Sequence, residues 1–141
     1  MSRFTGDLTV KEFHVDSDLW QLLTPLVYEI GKEGSGDEIV IAAGFISDGA
    51  SIPWPLTAIW PRWGRKYRRP AILHDLMCRS INEGTPLPNV SRRAKADAIF
   101  LEAMRVCGVS WPARTLFYLG VSAYTLWRAA MNRLRPTHPE R

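Results

Sequence analysis

Between Ile52 and Pro70 the chain sets Pro53, Pro55, Pro61 and Pro70 among Trp54, Trp60 and Trp63. Proline has no N–H to donate and its ring fixes φ, so this stretch excludes both a long regular helix and a central strand. It reads as an ordered wrapping loop, and the patterns on its two sides differ. Upstream, the runs LTVKEFHV (Leu8 to Val15), WQLL, LVYEI and EIVI are short, near-alternating and rich in β-branched and aromatic residues, which predicts strands. Lys32 to Asp37 supplies turn chemistry, and a β-hairpin is predicted to close near Gly34 to Gly36. Downstream, three helices are predicted. Pro70 suits the first turn of one running to about Asn82. Ser91 suits the N-cap of one running to about Cys107, with Gly108 as its stop, and Ser110 and Pro112 open a third that continues to about Arg133. The expectation is an α+β fold, with a small antiparallel sheet from the N-terminal half packed on about three C-terminal helices.

A length of 141 residues with 46% hydrophobic content suits a single compact domain, here residues 1–135, with 136–141 as a flexible tail. Six Trp offer enough apolar surface to offset the entropy of ordering, which argues against disorder. Cys78 and Cys107 are the two cysteines and the first ten residues hold no apolar signal core, so synthesis in a reducing cytoplasm is expected rather than a secreted disulfide scaffold. The apolar stretch Thr115 to Trp127 is shorter than the roughly 20 residues that span a bilayer, so no transmembrane segment is expected. Charge is divided unequally: residues 1–61 hold three Lys/Arg and nine Asp/Glu, residues 62–141 hold fifteen and five, giving −6 and +10. Such halves either attract each other within the fold or present a basic surface to an acidic partner.

Four groups able to bind a metal or move protons stand among apolar neighbours: Asp48, His74, Asp75 and Asp97. His74 shares a helix face with Met77, Cys78 and Ile81, so its imidazole points to the core. Asp75 lies one step round, where it can pair with Arg79 at i+4, cap a loop or turn inward. Asp97 falls in line with Phe100, Leu101 and Met104, and a carboxylate there needs a donor, a cation or a metal; His74 is its nearest candidate by type. Asp48 follows the strand-like run EIVIAAGFI, where Gly49 permits a tight turn. The cluster reads in two ways. Either it is catalytic, with His74, Asp75 and Asp97 holding Zn²⁺ or Mn²⁺ and Asp48 or another carboxylate acting as base, or it is a set of hydrogen bonds that fixes loop to helix. Tight motifs such as HExxH and paired CxxC are absent. A zinc set of His74, Cys78 and Cys107 and a phosphohydrolase-like order of His14, His74-Asp75 and Asp97 are weaker matches, since buried Cys is a common small hydrophobe and His14 falls on a predicted strand.

Arg62, Arg65, Lys66, Arg68 and Arg69, interleaved with Trp60, Trp63 and Tyr67, have the composition of a nucleic-acid surface and equally of a solvated loop anchored by Trp. The last predicted helix carries Phe117, Tyr124, Trp127 and Met131 on one face but Leu116, Leu119, Ala123 and Leu126 toward other sides, which predicts a partner helix or self-association.

Taken together, F-x-S-D-x-A-S-x-P, then H-D near a helix end, then S-R-x-x-A-D-x-x-F, then a Trp- and Tyr-containing last helix, resemble the phage-associated domain-of-unknown-function family 1353 from about Trp20 to Trp127. The matching positions are Asp48, Ser51, Pro53, His74, Asp75, Arg92, Asp97 and Phe100, while Met77-Cys78 stands where the family commonly has Leu-Tyr. The resemblance implies a small protein of a tailed bacteriophage or prophage, located in the host cytoplasm or in the virion and in contact with other phage proteins. It brings no established activity, so a metal-dependent hydrolase and a non-enzymatic virion or assembly component are both expected readings.

Overall fold

The structure is a computed structural model that describes residues 1–13, 19–49 and 66–134. The Pro/Trp loop from 52 to 65, His14, Ser51, Pro53, Arg62, Arg65 and the 136–141 tail lie outside the described residues.

The N-terminal half builds two three-stranded antiparallel sheets rather than one. The first has the order β1 (Arg3–Thr5), β4 (Leu26–Glu29), β5 (Glu38–Ile41), and the second the order β2 (Val10–Glu12), β3 (Trp20–Leu22), β6 (Ile46–Ser47). The period of two explains which residues face the core. Leu26 and Tyr28 of β4 are buried opposite Ile41 and Ile39 of β5, while Val27 and Val40 between them point outward or half-outward. The β4–β5 hairpin closes where expected: Ile30 donates its N–H to the Asp37 carbonyl, and Gly34 and Gly36 take positive φ. The run EIVIAAGFI is not one strand. Its middle turns at Ala42 to Gly44, where Gly44 has φ 91°, and Ile46-Ser47 cross to the second sheet to pair with Gln21 and Trp20. Gly supplies the left-handed backbone that this change of sheet requires.

The helices are α1 (Arg68–Asn82), α2 (Arg93–Val106) and α3 (Trp111–Leu134), so the α+β fold holds. Pro70 sits within the first turn of α1, where a missing N–H leaves no intrahelical bond unmade. Arg92, not Ser91, occupies the N-cap of α2 and makes no side-chain cap. At the other end Gly108 adopts φ 71° just past the Cys107 cap, the left-handed stop that Gly permits. No atom lies within 4 Å of a Cβ built at Gly108. Gly108→Ala therefore meets backbone strain alone and is expected to cost about 1 kcal/mol in chemical denaturation.

The sheets contribute Leu22, Leu26, Tyr28, Ile39 and Ile41 to a core closed by Ile72, Leu73 and Met77 of α1 and Ala96, Ile99 and Ala103 of α2. A second cluster, Tyr67, Ala71, Phe100, Met104, Val109, Ala113 and Phe117, joins α2 to the first turns of α3. Beyond Phe117 no residue of α3 is fully buried.

Candidate functional site

Asp97 of α2 is 2% exposed at its side chain. Burial of an unpartnered carboxylate costs roughly several kcal/mol, and here each oxygen is satisfied. His74 Nε2 of α1 lies 2.7 Å from Oδ1, and Thr125 Oγ1 of α3 donates to Oδ2 at 2.9 Å. One carboxylate thereby joins three helices. With Nε2 facing an acceptor, its proton donates to Asp97, and Nδ1 is the nitrogen left to exchange a proton. Phe100 lies against the imidazole, with ring centroids 4.7 Å apart. Cys78, one turn along α1, brings Sγ to 3.5 Å from Nε2.

Removal of the imidazole from water is the largest influence on its titration and favours the neutral form. The hydrogen bonds to Asp97 and Cys78 together outweigh it, and His74 stands raised from 6.5 to about 9. A value raised this far favours the imidazolium form of His74 at neutral pH.

A second set lies one step round α1. Asp75 Oδ2 is 3.3 Å from Arg79 Nη2, which also donates to the Ile46 carbonyl of β6 at 2.9 Å, and the guanidinium sits 4.6 Å from the centre of the Phe45 ring. Ser47 hydrogen-bonds Asp75, and Gly49 N–H donates to Ser47 Oγ at 3.1 Å. Burial pushes the Asp75 carboxyl up; Arg79 and Ser47 pull it down, nearby Asp48 raises it again and His74 lowers it. The β6–α1 contact is what brings Asp48 to Asp75.

Of the four sequence candidates, His74 and Asp97 bond each other, while Asp75 bonds Arg79 and lies near enough to Asp48 and His74 for both to act on its charge. Asp75 does not share a ligand cluster with His74 and Asp97; Cys78 takes that place, its Sγ lying with their nitrogen and oxygen within 4.8 Å of one another. Helical geometry is the reason: i+4 returns to the face of His74, whereas i+1 is turned about 100° away. Nitrogen, sulfur and oxygen donors suit Zn²⁺ with a fourth position for water. Such an ion would be held by a ring nitrogen of His74, Cys78 Sγ and an Asp97 oxygen, and would act as a Lewis acid on bound water. Thr125 was not among the sequence candidates. Its signal is the series Phe117, Val121, Thr125, steps of four along the buried face of α3. An open groove lined by Ser35, Asp37, Leu87 and Asn89 contains none of these groups.

The fold and site define a small α+β protein whose three helices are fastened by a buried His–Asp pair beside an Asp75–Arg79 ion pair that reaches the β6 backbone. A family model described as protein of unknown function (DUF1353) matches residues 20–121, and the chain belongs to that family. No curated protein and no solved structure matches it.

Proposed function

We propose that the chain is a metal-dependent hydrolase of a bacteriophage or prophage, with His74 as general base and Asp97 as the group that orients it. The observation that carries this reading is the 2.7 Å contact of Nε2 with Asp97, backed by Thr125. It fixes the ring and leaves Nδ1 as the basic nitrogen, the division of labour that general-base catalysis on water requires. The imidazole is 15% exposed, so water has access to it. Two donor sets suit a divalent ion. His74, Cys78 and Asp97 suit Zn²⁺, but that ion consumes the base. Asp75 and Asp48 offer oxygen alone, suit Mn²⁺ or another hard cation that would take the place of Arg79 beside Asp75, and leave the base free, so they are preferred.

The test is hydrolysis of chromogenic ester, amide and phosphodiester substrates, with and without chelator, after readdition of Mn²⁺, Ca²⁺ or Zn²⁺. His74→Ala is expected to lower the rate roughly a hundredfold, and Asp75→Asn to remove the dependence on added ion. The rate is expected to rise with pH as His74 loses its proton, with a midpoint below the ion-free value of about 9 because a neighbouring cation disfavours the imidazolium. Tight Zn²⁺ binding lost in Cys78→Ser assigns the ion to the other set. No hydrolysis of any class by folded, metal-loaded protein overturns the reading.

The near-complete burial of Asp97 favours a second reading, a virion or assembly component in which the pair serves the fold alone. Mass spectrometry that finds the protein in purified particles, together with a fully competent His74→Ala phage, selects it.

A further inference from the structure

Helix α3 runs for 24 residues, yet its buried residues are Ala113 and Phe117, both in its first third. Beyond them the helix exposes large apolar side chains: Leu119 57%, Tyr124 49%, Leu126 72%, Trp127 58%, Met131 46% and Leu134 75%. At about 100° per residue these six cover an arc of roughly 160°. That is wider than the narrow seam of a two-helix coiled coil and approaches the broad face of a helix lying at an interface. Tyr124 and Trp127 pair with ring centroids 5.7 Å apart, and both are amphipathic rings of the kind that settle at headgroup level.

Among the described residues the charges around this face have one sign. Helix α3 contains Arg114, Arg128 and Arg133 and no acidic residue. The N-terminus of α2 adds Arg92 and Arg93, with the Arg93 guanidinium 5.7 Å from the Tyr124 ring centre. Asp97, which meets α3 at Thr125, is buried and already paired with His74. A second copy laid on this face brings arginines against arginines, whereas an anionic surface meets both the cations and the apolar arc.

We infer that the exposed face of α3 docks the protein on an anionic lipid surface, with Leu126, Trp127 and Leu134 entering the acyl boundary and Arg128 and Arg133 engaging lipid phosphates. The helix lies in the interface and does not cross it: no helix among the described residues is long and apolar enough to span a membrane. The inference is independent of the hydrolase reading, since docking needs neither the His–Asp pair nor a metal.

The experiment is co-sedimentation of the full chain with vesicles of phosphatidylcholine alone and of phosphatidylcholine with about a third phosphatidylglycerol, at low and high salt, alongside light scattering without lipid. Binding is expected to the anionic vesicles, roughly tenfold weaker to the neutral ones, and to fall with salt. Leu126→Glu and Trp127→Glu, at side chains already exposed, are expected to weaken it at least about tenfold with an unchanged melting temperature. Arg128→Glu with Arg133→Glu is expected to remove the preference for anionic lipid. Absence of binding by the folded wild type overturns the inference, as does binding that Leu126→Glu and Trp127→Glu leave intact. A dimer in solution that both substitutions dissociate, with no vesicle binding, also overturns it and assigns the face to a second copy.

Discussion

Asp97→Ala is expected to destabilise the protein by about 3–5 kcal/mol, the range for breaking a buried ion pair by removal of one partner. The carboxylate accepts from His74 and Thr125 at once, so its loss leaves an imidazole that is 15% exposed and a hydroxyl on α3 both without their acceptor. For a chain of 141 residues this corresponds to a fall in melting temperature of roughly 10 °C or more. The imidazole supplies an independent readout. Without Asp97 the burial that opposes its charge is countered by Cys78 alone, so His74 is expected to titrate below its present value of about 9. An NMR titration of the ring protons checks this. Asp97→Asn retains an acceptor for Nε2–H but not the charge, and is expected to fall between wild type and Asp97→Ala. A variant as stable as wild type, with His74 still titrating near 9, contradicts the pairing.

The second large effect is the dependence of stability on alkaline pH. His74 binds its proton more tightly folded, at about 9, than unfolded, at 6.5, so the difference contributes about 3 kcal/mol at 1.36 kcal/mol per unit. The raised value sets the sign: the contribution is complete below pH 6.5, declines as the unfolded chain stops competing for the proton, and is gone above about 9. Burial also pushes up the Cys107 thiol and takes the Tyr28 phenol to about 12, and these lose stability in the same alkaline direction. Urea denaturation of wild type and His74→Gln at pH 6 and pH 10 separates them, because both other groups remain in the variant. The wild-type advantage is expected at pH 6 and not at pH 10. An advantage independent of pH places the stabilisation in packing against Phe100 instead.

These effects were partly legible in the sequence. The inward direction of His74 and Asp97 follows from helical period alone, and the cost of a buried carboxylate demanded a partner for Asp97. The partner's type was legible too, since His74 is the inward-facing imidazole of the neighbouring helix. Thr125 was not, because a hydroxyl in a long apolar helix is cheap to expose and signals no partner by itself. Cys78 shares the face of His74 at i+4, but its distance from Asp97 depends on how α1 and α2 pack. For Asp75 the helical period leaves the direction open between Arg79 at i+4, a loop and the core, and packing against β6 settles it on Arg79 and Ser47. The break in EIVIAAGFI was equally hidden: its apolar run suits one strand, and only the pairing of Ile46-Ser47 with β3 divides it between two sheets.

The sequence by itself determined the α+β division at the Pro/Trp stretch, the hairpin at Gly34 to Gly36, three helices to within two residues at most ends, and an inward His and Asp. Those features rest on local causes: proline's missing donor, glycine's left-handed backbone, and periods of 2 and 3.6. Only the tertiary structure decided that Cys78 rather than Asp75 joins His74 and Asp97, and that the apolar face of α3 beyond Phe117 is left uncovered by the described residues. Both depend on packing between elements far apart in the chain, where an ångström of separation decides between a hydrogen bond and no contact, and no local pattern encodes that distance.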